Sequence, residues 1–90
     1  MTVEVLYFAS CPNAAPALAL VRRCVARLGL QIDVVEHDGN HASPTVRVNG
    51  IDVMGAPSTW ELSCRLDVPT EERVCAALRR AMALAPRFLS

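Results

Sequence analysis

The chain has 90 residues, 52% of them hydrophobic, with nine arginines, no lysine and nine acidic residues, for a formal net charge of zero. That composition excludes a disordered chain and gives one domain, 1–90, with a single modest core. There is no basic stripe with interleaved aromatics, which argues against nucleic acid, and no apolar run near the ~20 residues of a membrane span.

The elements follow in chain order. Thr2 to Phe8 alternates with β-branched and aromatic residues and predicts a strand. The opening MTVEVLYF lacks a basic leader and reads as strand, so the expectation is a cytoplasmic protein. Cys11 comes next, just before a helix signal. Asn13 is the expected N-cap, and Pro16 is tolerated in the first turn. Ala17, Leu18, Val21, Val25 and Leu28 recur at helical spacing, and Gly29 ends the run. Ile32 to Glu36 predicts a second strand, and HDGNHAS a short loop. Pro44 to Val48 predicts a third strand, Asn49-Gly50 a tight hairpin turn, and Ile51 to Val53 a fourth strand. Met54 to Asp67 has no clear period. A last helix starts near Pro69 or Thr70, with Glu71 and Glu72 in its first turn and a stripe of Val74, Ala77, Leu78, Ala81 and Ala85. Pro86 is its expected end.

The order is β-α-β followed by β-β-α. A crossover through a helix implies parallel strands, and the hairpin adds an antiparallel edge. Both helices can then cover one sheet face. The other face would carry Glu4, Leu6, Phe8, Asp33, Val35, Thr45 and Arg47. Its apolar part, Leu6, Phe8 and Val35, needs cover from Trp60 and Leu62 or from a second subunit, which makes a homodimer an expectation.

Four cysteines, at 11, 24, 64 and 75, are too irregular for zinc knuckles, and a reducing compartment disfavours a disulfide framework. Cys11 at a helix N-terminus is placed to act as a thiolate, the form that attacks disulfides and binds soft metals. Cys24 and Cys75 fall on or beside helix stripes and read as core. Cys64, in the irregular segment, has Arg65 beside it, whose charge favours a thiolate. His37 and His41 bracket a loop. His41 stands three residues before Pro44 and is a candidate neighbour of Cys11, although a solvated loop histidine is the plainer reading.

The motif Cys11-Pro12-Asn13-Ala14 between the first strand and first helix, with Ser43-Pro44-Thr45-Val46 opening the third strand, resembles the thioredoxin-like superfamily over nearly the whole chain. The runs Tyr7-Phe8 to Cys11-Pro12-Asn13, Ser43 to Gly50 and Ser63-Cys64-Arg65-Leu66-Asp67 further resemble small bacterial thioredoxin-like proteins often labelled alkylmercury lyase. The resemblance implies an α/β fold: a minimal thioredoxin-like domain of β-α-β-β-β-α order. Its four-stranded mixed sheet carries two helices on one face. Only Asp38 to Ser43 separates the second strand from Pro44, too short for the usual middle helix.

The resemblance also implies that Pro44 is cis and lies against the reactive cysteine. Pro12, Ser43, Pro44, Thr45 and His41 are then substrate-binding, and Cys11 and Cys64 catalytic. Ala14 stands where the resolving cysteine of the family would be. Resolution then falls to Cys64 or to glutathione as co-substrate. The expected function is a cytoplasmic thiol protein acting on a small thiol, disulfide or organomercurial, as a thiol-dependent oxidoreductase or an organomercurial lyase-like enzyme. Two alternatives stand beside it: a mercury-binding and transfer module using Cys11 and Cys64 without turnover, and a non-catalytic binding module.

Overall fold

The computed structural model describes residues 1–39, 42–55, 63–65 and 68–84, with Ser63, Cys64 and Leu84 described by their backbone alone. The elements are β1 (Val3–Tyr7), α1 (Ala14–Arg27), β2 (Val34–Asp38), β3 (Ala42–Ser43), β4 (Thr45–Val48), β5 (Ile51–Asp52), β6 (Ser63–Cys64) and α2 (Glu71–Leu84). Four strands form a mixed sheet in the order β2-β1-β4-β5, and β3 and β6 form a separate two-stranded pair.

The central strand β1 runs parallel to β2, from Val3 opposite Val34 to Tyr7 opposite Asp38. It runs antiparallel to β4, with Val3 opposite Val48 and Val5 opposite Val46. Because side chains alternate across a sheet, that register puts Val3, Val5, Val46 and Val48 on one face. All four are buried and share one core with Leu20, Val21, Val25, Val74 and Leu78 from both helices. Each fully buried valine contributes about 1.5–3 kcal/mol of transfer free energy.

The second strand sits two residues later than its apolar residues predict. Ile32 only packs against the core, while His37 and Asp38 belong to β2. Hydrogen bonding along the full length of β1 outweighs the polarity of these two side chains.

Helix α1 follows the predicted stripe, burying Ala14, Ala17, Leu20, Val21, Cys24 and Val25. Asn13 holds the N-cap position, but its side chain makes no capping bond. The amide of Ala14 instead donates to the Cys11 carbonyl at 3.2 Å. The C-terminus closes in a Schellman motif: Gly29 donates to Ala26 and Leu30 to Val25, both at 3.1 Å, with Gly29 at φ +67.

The hairpin turn has Asn49 at φ 52 and Gly50 at φ 80, the left-handed pair that Asn-Gly favours. Asn49 also ties back to β1. Its amide donates to the Thr2 carbonyl at 2.8 Å, and its side-chain oxygen accepts from the Thr2 amide at 2.9 Å. Helix α2 is capped by Thr70, whose hydroxyl accepts the Arg73 amide at 3.2 Å. Val74, Cys75, Leu78 and Ala81 form its buried side. Ala85, Pro86, Trp60 and Leu62 lie outside the described residues.

On the far sheet face Leu6 is buried, whereas Val35 is 42% exposed. Glu4 and His37 pair across the parallel strands at 2.9 Å. No helix among the described residues is long and apolar enough to cross a membrane.

Candidate functional site

Cys11 lies in the turn that carries β1 into α1, where its amide donates to the Phe8 carbonyl at 3.0 Å. Pro12 beside it is exposed. The Cys11 side chain is turned inward and is 5% exposed. Its Sγ lies 3.8 Å from the carbonyl oxygen of Ser43, 32 residues away in sequence.

The two motifs singled out in the sequence therefore meet. Ser43 and Pro44 are fully buried, and the peptide bond between them is cis.

The Ser43 carbonyl has a second donor, the main-chain amide of Arg65, at 2.6 Å. This bond belongs to the β3–β6 pair, in which Ser43 is in parallel register with Cys64 and Ala42 with Ser63. One oxygen atom thus connects the Cys11 thiol to the residue that follows Cys64. The backbone of Cys64 runs beside Ser43, although no periodicity marks Ser63–Cys64 as a strand. Two residues per strand are too few to show alternation.

Arg65 anchors this arrangement. Its guanidinium donates to Asp52 at 2.6 Å and to the Thr45 hydroxyl at 3.0 Å. The Arg65 and Asp52 side chains are only 9% and 8% exposed. The Thr45 hydroxyl in turn donates to the Ala42 carbonyl at 2.7 Å, so within this site it joins β3, β4 and Arg65. Asp52 accepts the Met54 amide at 2.8 Å as well. The sequence marks Arg65 only as a charged neighbour of Cys64. The signal it lacks is the distant Asp52, at the end of the hairpin.

Ser43 carries a further feature. Its hydroxyl is buried and has no hydrogen-bond partner among the described residues. Such an atom costs about 1–3 kcal/mol and is a natural contact for a bound molecule or water. His41 lies outside the described residues. His37 is committed to Glu4 on the sheet face.

A cleft of about 250 Å³ lies elsewhere, between the β4–β5 hairpin and α2, lined by Val48, Ile51, Val53, Arg73, Ala77 and Arg80 among others. Its lining includes none of Cys11, Ser43 and Pro44. At the thiol site, by contrast, the Cys11 thiol and the Arg65 amide converge on one atom, the Ser43 carbonyl oxygen.

No protein-family model, curated protein or solved structure matches this chain.

Proposed function

We propose that this chain is a minimal thioredoxin-like domain and a small cytoplasmic thiol protein, with Cys11 as nucleophile and Cys64 as second thiol. The observation that carries the reading is the Ser43 carbonyl, which takes the Cys11 thiol at 3.8 Å and the Arg65 amide at 2.6 Å, with Cys64 in register beside it. The cis Ser43–Pro44 bond and the Ser43 hydroxyl, without a partner among the described residues, belong to the same few atoms.

In the proposed exchange the Cys11 thiolate attacks one sulfur of a substrate disulfide. A mixed disulfide forms and the first substrate thiolate leaves. Cys64, or glutathione, then attacks the Cys11 sulfur and releases the second. The oxidised product is a Cys11–Cys64 disulfide, or a Cys11–glutathione disulfide whose glutathione sulfur a second glutathione attacks, releasing glutathione disulfide and the Cys11 thiolate. Because Cys11 is 5% exposed, a small disulfide or thiol adduct suits the site better than a bulky one.

The same register favours one second reading, in which Cys11 and Cys64 hold a soft metal such as mercury as cargo. The non-catalytic dimer draws on the exposed Val35 of the far sheet face.

Competition among the thiols for iodoacetamide at pH 7, read by peptide mass mapping, tests the proposal. Cys24 is the internal reference, since burial and its contact with Cys75 push its thiol up to about 12. Cys11 should label at least tenfold faster than Cys24. In Cys64→Ser, oxidised glutathione should trap a mixed disulfide on Cys11. Equal labelling of Cys11 and Cys24 would sink the thiol reading. One mercuric ion per chain, lost in both Cys11→Ser and Cys64→Ser, without any turnover, would select the carrier.

A further inference from the structure

The cleft between the β4–β5 hairpin and α2 plays no part in the thiol chemistry, and no cysteine lines it among the described residues. Its floor is apolar. Val48, Val53 and Ala81 line it and belong to the main core, at 5%, 8% and 8% exposed. Ile51 stands in the wall and is 72% exposed, the most exposed large hydrophobic side chain among the described residues. A lone exposed isoleucine is ordinary, but this one borders an open apolar cleft that a bound molecule would cover together with it.

Charge is distributed as unevenly as hydrophobicity. Arg73 and Arg80 both line the cleft and both are exposed. They are seven residues apart on α2, two turns or about 10.5 Å along the axis, and so share a face. Neither has an acidic partner among the described residues, and Glu71 on the same helix is taken by Arg23 and Arg27. The carboxylate in the lining, Asp52, is held by Arg65 at 2.6 Å and accepts the Met54 amide. Asn49 gives its side-chain oxygen to the Thr2 amide. Two guanidinium charges therefore border the cleft without a counter-charge among the described residues. Between them on the helix stand Ala76 and Ala77, small side chains that leave the space open.

We infer that this cleft binds a small organic acid, a carboxylate on a compact hydrocarbon body. Size is the first argument. A cavity of about 150 Å³ holds benzene, so by the same scale a cleft of about 250 Å³ takes roughly ten non-hydrogen atoms, the size of an aryl acetate. The head group is the second. The planar guanidinium fork matches a carboxylate and stays charged at any working pH. The body is the third. Hydrocarbon lying on Val48, Val53 and Ala77, with Ile51 beside it, removes apolar surface of both partners from water. The floor has nothing to pair with the hydroxyls of a sugar phosphate, which disfavours that class of anion. An exposed ion pair alone is weak, so the acid and the apolar body must act together.

The test titrates phenylacetate into the ¹⁵N-labelled full chain and follows amide shifts by two-dimensional NMR. Saturable shifts should cluster at Val48, Ile51, Val53, Ala77 and Ala81, with a Kd of about 1 mM or below. Phenylacetamide, of the same shape without the charge, should bind about tenfold weaker or more, and acetate and inorganic phosphate should not saturate. Arg73→Gln/Arg80→Gln should weaken phenylacetate by about tenfold or more. Both side chains are exposed, so the circular dichroism and Tm of this variant should match the parent. Ala76→Leu, at an exposed helix position that suits leucine, should fill the cleft and weaken binding to a similar extent. Equal affinity for the amide, undiminished binding in either variant, or shifts at Cys11 and Ser43 instead would each overturn the site. A dimer that dissociates in Arg73→Gln/Arg80→Gln and ignores phenylacetate would overturn it too, by giving the cleft to a second copy of the chain.

Discussion

Removing Asp52 should be the most damaging single change near the thiol site. Asp52→Ala takes away the carboxylate that Arg65 meets at 2.6 Å and the acceptor of the Met54 amide. With the two side chains 9% and 8% exposed, water does little to replace the lost counter-charge. Breaking a buried pair in this way costs about 3–5 kcal/mol. A 90-residue domain has roughly 5–13 kcal/mol in total, so the loss is a large share of the whole.

Guanidinium chloride unfolding, with a slope of about 2–3 kcal/mol/M for a chain this size, should show the midpoint falling by roughly 1–2.5 M. Arg65→Met should cost a similar amount. The double variant Asp52→Ala/Arg65→Met should recover part of the loss, with a coupling of about 2 kcal/mol. The Arg65 amide also bonds the Ser43 carbonyl, so loosening this residue should raise the labelling rate of Cys11 before global unfolding. If each single change costs under about 1 kcal/mol and the double is additive, the pair behaves like an exposed bridge and the reasoning fails.

Three further outcomes are expected. Between pH 9 and 12 the folded protein should lose stability as pH rises. The Cys24 thiol is raised from 9.0 to about 12 by desolvation and Cys75, so its contribution is complete below pH 9 and gone above 12, at most ~4 kcal/mol. Cys24→Ala should flatten that slope in unfolding titrations. Thr70→Ala should cost about 1 kcal/mol through loss of the α2 cap, seen as a fall in Tm, and Thr70→Asn should largely restore it. Gly29→Ala should cost about 1–2 kcal/mol from backbone conformation alone, since φ is +67 and an added Cβ meets nothing within 4 Å; a neutral outcome would contradict that.

What the sequence shows well is what local physics determines. Alternation from Val3 to Tyr7, the α1 stripe ended by Gly29, the Asn49-Gly50 turn and the Thr70 start of α2 all depend on neighbours in the chain. Pairings between distant segments are less visible. The β3–β6 pair is too short to show a period, and β2 is shifted because β1, not its own composition, sets its frame. Arg65 and Asp52 lie 13 residues apart with nothing local to pair them, yet they meet at 2.6 Å with both side chains nearly buried. Cys24 and Cys75 each read correctly as core, but periodicity says which face is inside and not which residues of another helix meet it. Of the thiol site, Cys11 and Ser43-Pro44 are legible as motifs. The carbonyl that joins them to the strand of Cys64 is not.

The double link between Asn49 and Thr2 has a practical consequence for handling the protein. It fastens the beginning of β1, whereas Cys11 follows the end of that strand, about 17 Å away over five residues. A surface or label attached near Thr2 would hold the molecule by its pinned corner and leave the thiol edge facing solution. Attachment through cysteine would do the reverse and hide the edge under study.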